Sequence, residues 1–164
     1  MFSNKLLETS ERLIEGCRRG NISLVTAESC TGGLLAGCLT AIPGASDVFG
    51  RGFIAYANEA KTEILGVGEA LLAEHGAVSE QVVRAMAEGA KRASRAGLAL
   101  AVTGIAGPSG NTAEKSVGLV HIAASTNDTL HECRQFSGNR DEIRLAAVAA
   151  ILELGLRALR DATP

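Results

Sequence analysis

A strand that hands over to a helix through a hydroxyl residue and two glycines constrains this chain most. Ile22-Ser23-Leu24-Val25 is a short apolar run of the kind that forms a buried strand. Leu34-Leu35-Ala36-Gly37-Cys38-Leu39 reads as the apolar start of a helix, and Thr26-Ala27-Glu28-Ser29-Cys30-Thr31-Gly32-Gly33 lies between them. At such a junction the first N–H groups of a helix lack partners within it and point outward. The helix dipole adds a positive potential there, and glycines let an anion approach the backbone. Ser29 is therefore either a helix cap or a nucleophile beside an anion site.

The rest of the chain repeats the alternation of strand and helix. Ser3 to Arg19 is an amphipathic helix with Leu6, Leu7, Leu13, Ile14 and Cys17 on one face, stopped by Gly20. The helix after the junction ends near Thr40, because Pro43-Gly44 cannot continue it. Val48 to Tyr56 is a second strand interrupted by Gly50 and Gly52, and short helices follow at Asn58–Leu65 and Glu69–Glu74. Ser79 caps a long helix running to about Ala96, with Val82, Val83, Met86 and Ala90 inward. Leu98–Thr103 is continuously apolar, so it is a central strand covered on both faces. A glycine-rich loop from Gly104 to Asn111 leaves it. Val117–Ser125 and Leu130–Phe136 are joined at Asn127-Asp128, a connector so short that the two strands must be antiparallel. Asp141 to Arg160 is the closing helix, with Ile143, Ala147, Ile151, Leu154 and Leu159 roughly on one side.

This order predicts an α/β fold: a single three-layer α/β/α domain with a mixed, mostly parallel sheet. Residues 1–164 are expected to form that one domain, with the N-terminal helix (1–20) packed on it. Ligands in such folds sit beyond the carboxyl ends of the strands. That rule gathers Ser29, the Tyr56–Lys61 turn and the Thr103–Gly110 loop at one edge. Gly138-Asn139-Arg140 follows the last strand, and an antiparallel final strand would carry Arg140 to the opposite end.

Composition removes several classes of function. A net charge of −2, no Lys/Arg run and a single Tyr without any Trp give no footprint for nucleic acid. The apolar stretches are far short of a membrane span and the N-terminus lacks a signal-peptide pattern, so a cytoplasmic protein is expected. Cys17, Cys30, Cys38 and Cys133 show no CxxC pairing, and neither they nor the scattered His75, His121 and His131 have zinc-ligand spacing. No metal and no cofactor are expected. A P-loop fails because no lysine follows the glycines, and GxGxxG is absent.

The candidate chemical groups each have a plain structural reading as well. Tyr56 ends an apolar strand and suits packing with a wet tip. Lys61 in the first turn of a helix stands at the wrong end of the dipole, which disfavours its ammonium form and moves it toward general-base range. Arg140 suits either a phosphate or the start of the last helix, and Glu28 either caps or orients the serine. A hydrolase using Cys30 lacks an assured histidine partner.

Taken together, three segments are far more specific. Ala27-Glu28-Ser29-Cys30-Thr31-Gly32-Gly33, then Ala55-Tyr56-Ala57-Asn58-Glu59-Ala60-Lys61, then Val102-Thr103-Gly104-Ile105-Ala106-Gly107-Pro108 resemble, in order and spacing, the CinA C-terminal domain family of nicotinamide mononucleotide amidases. His75-Gly76-Ala77-Val78-Ser79 and Glu114-Lys115-Ser116-Val117-Gly118 are also similar to its pattern, so the resemblance covers nearly the whole chain. It implies metal-free hydrolysis of the carboxamide of nicotinamide mononucleotide to nicotinic acid mononucleotide and ammonia. Matched residue by residue, Ser29 is the nucleophile, Lys61 its base and Tyr56 the assisting phenol. Thr103 and the backbone of Gly104, Ile105, Ala106 and Gly107 match the ligand loop; Cys30, Thr31, Gly32 and Gly33 are expected to bind the substrate too, with the unpaired N–H groups of the Thr31–Gly33 turn as oxyanion donors. Arg140 matches an arginine that usually follows Gly-Asp, whereas Asn139 precedes it here. Ser109 and Asn111 stand where glycines are usual, and Ala113 and Ser116 where prolines are. Many relatives carry this domain behind a larger N-terminal one; here it is expected to stand alone, as a homo-oligomer. The opposing expectation is a non-catalytic nucleotide- or phosphate-binding module with Ser29 as cap.

Overall fold

The computed structural model describes residues 2–162. In chain order the elements are α1 (Asn4–Arg19), β1 (Leu24–Glu28), α2 (Leu34–Thr40), a 3-10 turn at Ala45–Asp47, β2 (Phe49–Ile54), α3 (Asn58–Leu65), α4 (Glu69–His75), α5 (Glu80–Ser94), β3 (Leu98–Gly104), β4 (Leu119–Ser125), β5 (Thr129–Gln135) and α6 (Arg140–Ala162). Serine caps start two of the helices: Ser3 Oγ accepts from the Leu6 N–H, and Ser79 Oγ from the Val82 N–H. No described helix is long and apolar enough to cross a membrane.

The five strands form one sheet in the order β2-β1-β3-β4-β5, and α1, α2 and α6 cover one face while α3, α4 and α5 cover the other. Alternation along β3 decides how each layer sits. Leu98, Leu100 and Val102 face the core shared with α1, α2 and α6, whereas Ala99 and Ala101 face α5. Alanines on that side let α5 lie close to the sheet. Gly89 of α5 is in turn so near the chain that an added Cβ would meet the Leu65 carbonyl oxygen at 1.9 Å. Burial of the leucine face stabilises the fold by about 1.5–3 kcal/mol per fully covered side chain.

One expectation needs correction and one open point is answered. The first strand runs to Glu28, three residues past the apolar run, because both its neighbours pair with it and its polar side chains are buried too. The second concerns direction. β1 is parallel to β2 and β3, β4 is antiparallel to β3, and β5 is antiparallel to β4. Two reversals cancel, so β5 runs with β1, β2 and β3. Arg140 therefore emerges at the same edge as Ser29, which removes the objection that an antiparallel last strand raised against its place there. Of the two interruptions read in the second strand, Gly50 is an extra residue in the β1–β2 register, a bulge on an edge strand, whereas Gly52 pairs in register with Thr26.

Candidate active site

The carboxyl edge of three adjacent parallel strands brings the first group of residues together. Glu28 pairs with Ile54 on one side and Val102 on the other. The Ser29 N–H donates to the Val102 carbonyl at 3.0 Å, and the Ala55 N–H to the Glu28 carbonyl at 2.8 Å. Ser29, Ala55 and Thr103 are thus the residues leaving one row of the sheet, and Tyr56 follows Ala55. Thr103 is buried, and its hydroxyl donates to the Ala77 carbonyl at 2.9 Å, which ties the loop between α4 and α5 to this edge.

At the junction the sequence expectation of unpaired helix N–H groups meets a different arrangement. Glu28 is fully buried, and its carboxylate accepts from the Thr31 hydroxyl at 2.7 Å and from the N–H groups of Gly33, Leu35 and Ala36 at 2.9–3.0 Å. The amino end of α2 is therefore occupied by an anion from the protein itself, the partner that the dipole favours. The Gly32 N–H donates to the Ser29 carbonyl, and the Leu34 N–H to that of Thr31. Gly33 matters through its backbone: φ is 95°, a left-handed conformation that lets the chain turn back so that Glu28 can reach the helix.

Lys61 is 1% exposed. Its ammonium nitrogen donates to the carbonyl oxygens of Ala55 and Tyr56 at 2.9 and 3.0 Å. Burial pushes its pKa below the usual lysine value, against smaller opposing effects of Cys30 and Glu59. The direction matches the sequence expectation, and desolvation is its leading cause. A neutral lysine has two N–H bonds and one lone pair. With both N–H bonds taken by carbonyls, the lone pair is what remains for a proton.

Around this group lies a cavity of about 270 Å³. Ser29, Cys30, Tyr56 and Lys61 line one side, the loop Thr103–Gly107 another, and Arg140 the mouth. Thr31, Gly32 and Gly33 are not in its lining; they build the turn behind Ser29. Arg140 donates to the Gly107 carbonyl at 2.6 Å and to the Tyr56 hydroxyl at 2.9 Å. Tyr56 is 58% exposed, so it does not serve as a packing residue. Cys30 is buried and its thiol is pushed up to about 11 by that burial, which leaves little thiolate near neutral pH. A larger, mostly apolar groove of about 680 Å³ lies between α1, β5 and α6. The smaller cavity is the one that holds the residues of the three matched segments.

A family model described as the CinA C-terminal domain matches residues 7–159. The chain belongs to that family. The CinA domain here is 46% identical over 157 residues to the nicotinamide-nucleotide amidohydrolase PncC of Escherichia coli K12, covering 93% of this chain and 94% of that protein. It is 54% identical over 134 residues to a CinA-like protein of Anaeromyxobacter dehalogenans, but spans only 33% of that relative's length. The crystal structure of the competence/damage inducible protein CihA from Agrobacterium tumefaciens superposes with a TM-score of 0.93 at 48% identity, covering 98% of both chains.

Several residues of this CinA domain were not singled out in the sequence. Arg144 of α6 donates to the Cys30 carbonyl at 3.1 Å and to that of Thr31 at 2.9 Å, clamping the turn that carries Ser29. Nothing in the sequence separates it from other charged residues near a helix start. Asn58, Ala77 and Val78 also line the cavity. Their signal was present, since they fall in the Ala55–Lys61 and His75–Ser79 segments that match the family pattern.

Proposed function

We propose that this chain hydrolyses the carboxamide of nicotinamide mononucleotide to nicotinic acid mononucleotide and ammonia, with Ser29 as nucleophile and Lys61 as base. The observation that carries the chemistry is a buried lysine, both N–H bonds of its neutral form engaged by carbonyls, in one cavity with a serine hydroxyl. The substrate follows from the likeness to the Escherichia coli amidohydrolase along nearly the whole of both chains.

Neutral Lys61 takes the Ser29 proton as the oxygen attacks the carboxamide carbon. Negative charge develops on the former carbonyl oxygen. The Gly33, Leu35 and Ala36 N–H groups already serve Glu28, so donors must come from elsewhere on the turn, and the Cys30 and Thr31 N–H groups are nearest to Ser29 in the chain. Each such donor contributes on the order of 3 kcal/mol to the transition state. The lysine ammonium returns its proton to the leaving nitrogen, ammonia departs, and water cleaves the ester by the same roles reversed. Tyr56 assists proton movement at the mouth, while Gly104–Gly107 and Arg140 hold ribose and phosphate and so position the ring. The reaction needs no metal or cofactor in this scheme, and we place it in the cytoplasm in a homo-oligomer.

Ammonia release from nicotinamide mononucleotide by the purified chain tests the proposal. Release that disappears in Ser29→Ala is the expected result. Tight binding without release would leave a nucleotide-binding module instead.

A further inference from the structure

One strand over from Thr103, on the sheet face covered by α5, four polar side chains meet in a row. His121 on β4 pairs across the ladder with Cys133 on β5, and His131 lies two residues before Cys133 on the same face. His121 Nδ1 is 3.0 Å from His131 Nε2, and Cys133 Sγ is 3.7 Å from His121 Nε2. At the other end His131 Nδ1 is 3.4 Å from Glu80 Oε2, the first residue of α5. The ring centroids are 5.3 Å apart with planes 17° from parallel, so the two imidazoles meet edge to edge, in line for a proton.

The carboxylate fixes the direction of this chain. It only accepts, so the His131 nitrogen beside it carries the hydrogen. A neutral imidazole has one N–H, so His131 Nε2 accepts, and His121 Nδ1 must be its donor. That leaves the lone pair of His121 on Nε2, which faces the thiol. Burial holds both imidazoles below the usual histidine value, and for His121 the neighbouring His131 and Lys115 add to this while Glu80 opposes it. For His131, Glu80 opposes and Arg84 adds. The rings are thus neutral, and able to accept a proton, at pH 7.

The other cysteines present no such arrangement. Cys17, Cys30 and Cys38 are buried, with thiols pushed up by burial, to about 12 in Cys17 and about 11 in Cys30; Cys133 is exposed. Exposure, an acceptor nitrogen and a carboxylate orienting that acceptor through a second imidazole coincide at one thiol.

We propose that Cys133 is a second nucleophilic site of this chain, exchanging with small disulfides with His121 as its base. Cys133 Sγ bonds to one sulfur of the disulfide, the S–S bond breaks, and the other sulfur leaves with its electron pair as a thiolate. The thiol proton passes to His121 Nε2, and the leaving thiolate or water then takes it. Cys133 is oxidised to a mixed disulfide and the small disulfide is reduced to one thiol. The Ser29 site takes no part.

The test uses the full chain and dithionitrobenzoate, an aromatic disulfide whose released thiolate is coloured, with oxidised glutathione and peptide mass mapping as a second probe. One thiol is expected to react in a fast phase at pH 7, mapping to Cys133 and absent in Cys133→Ser. His121→Gln should slow that phase at least about tenfold, and Glu80→Gln in the same direction by less. The number of reacting thiols separates a slower site from a misfolded one, because unfolding would release the buried cysteines as well. Cys133 reacting equally fast with and without His121 would show that exposure alone accounts for it and overturn the proposal. A fast phase mapping to another cysteine would do the same.

Discussion

The guanidinium of Arg140 donates to the phenol oxygen of Tyr56 at 2.9 Å, although the two residues are separated by 84 positions in the chain. With the second contact to Gly107, this bond makes a strap across the mouth of the Ser29 cavity. The two acceptors, a hydroxyl and a carbonyl, are neutral. A phosphate offers the same fork of donors a charged partner, and charge-assisted hydrogen bonds are roughly twice as strong. In the proposed reaction Arg140 would exchange these neutral partners for the phosphate of the nucleotide.

Arg140→Ala is therefore expected to weaken nicotinamide mononucleotide about ten- to a hundredfold, the range for losing hydrogen bonds to a charged group. Nicotinamide riboside, without the phosphate, should weaken much less. Titration of the two ligands against the same variant measures the difference, and equal losses would remove Arg140 from phosphate recognition.

Lys61→Met keeps length and apolar stem and deletes the amine. Single-turnover rate should fall at least about a hundredfold, the low end of general-base contributions, with substrate affinity little changed. Unfolding at several pH values supplies a second check. In the native chain the folded-state pKa of Lys61 lies below its ordinary 10.5, so between those two values the unfolded chain holds the proton and the folded one does not. Stability then rises with pH through that window. The methionine variant should lose this rise, and its stability at neutral pH should hold or increase. A pH slope identical in both proteins would mean that the lysine is not penalised by its burial.

Cys30→Ala should leave amide hydrolysis within about threefold of the native rate, because a thiol raised to about 11 supplies little thiolate. Loss of activity in Cys30→Ala, with Ser29→Ala still active, would move the nucleophile by one residue.

Glu28→Gln replaces an acceptor oxygen with an NH₂ group among a hydroxyl and three N–H donors. Some of those donors lose their partner, at roughly 1–3 kcal/mol for each left buried and unpaired. A clear fall in thermal midpoint is expected, together with loss of turnover, since the Ser29 turn is built on that carboxylate. An unchanged midpoint would contradict the account of α2 given above.

How much of this was legible in the sequence depends on the range of the interaction. Strand and helix order was readable because apolar runs and glycine stops are local; Leu98–Thr103 declares its own burial. Ser29, Tyr56 and Lys61 were gathered by one rule about strand ends. The end of the sheet at which Arg140 emerges stayed open, because it needed the directions of two successive strands to be multiplied. Glu28 was readable as a capping group, but not as one that fills the helix terminus. That depends on the left-handed backbone of Gly33 folding the turn back. Arg144 was illegible, since its role is set wholly by which turn α6 happens to cross.

The return of β5 to the common direction has a kinetic consequence. The mouth of the cavity is completed by Arg140 of the last helix, while Ser29 on its wall directly follows the first strand. Every intervening element must be placed before the two meet, and contacts of such sequence separation are slow to form. Refolding from denaturant should therefore restore helical signal first and the capacity to bind an anionic ligand last. On a nascent chain the pocket would assemble only after α6 had emerged, so competence arrives as the closing event of folding.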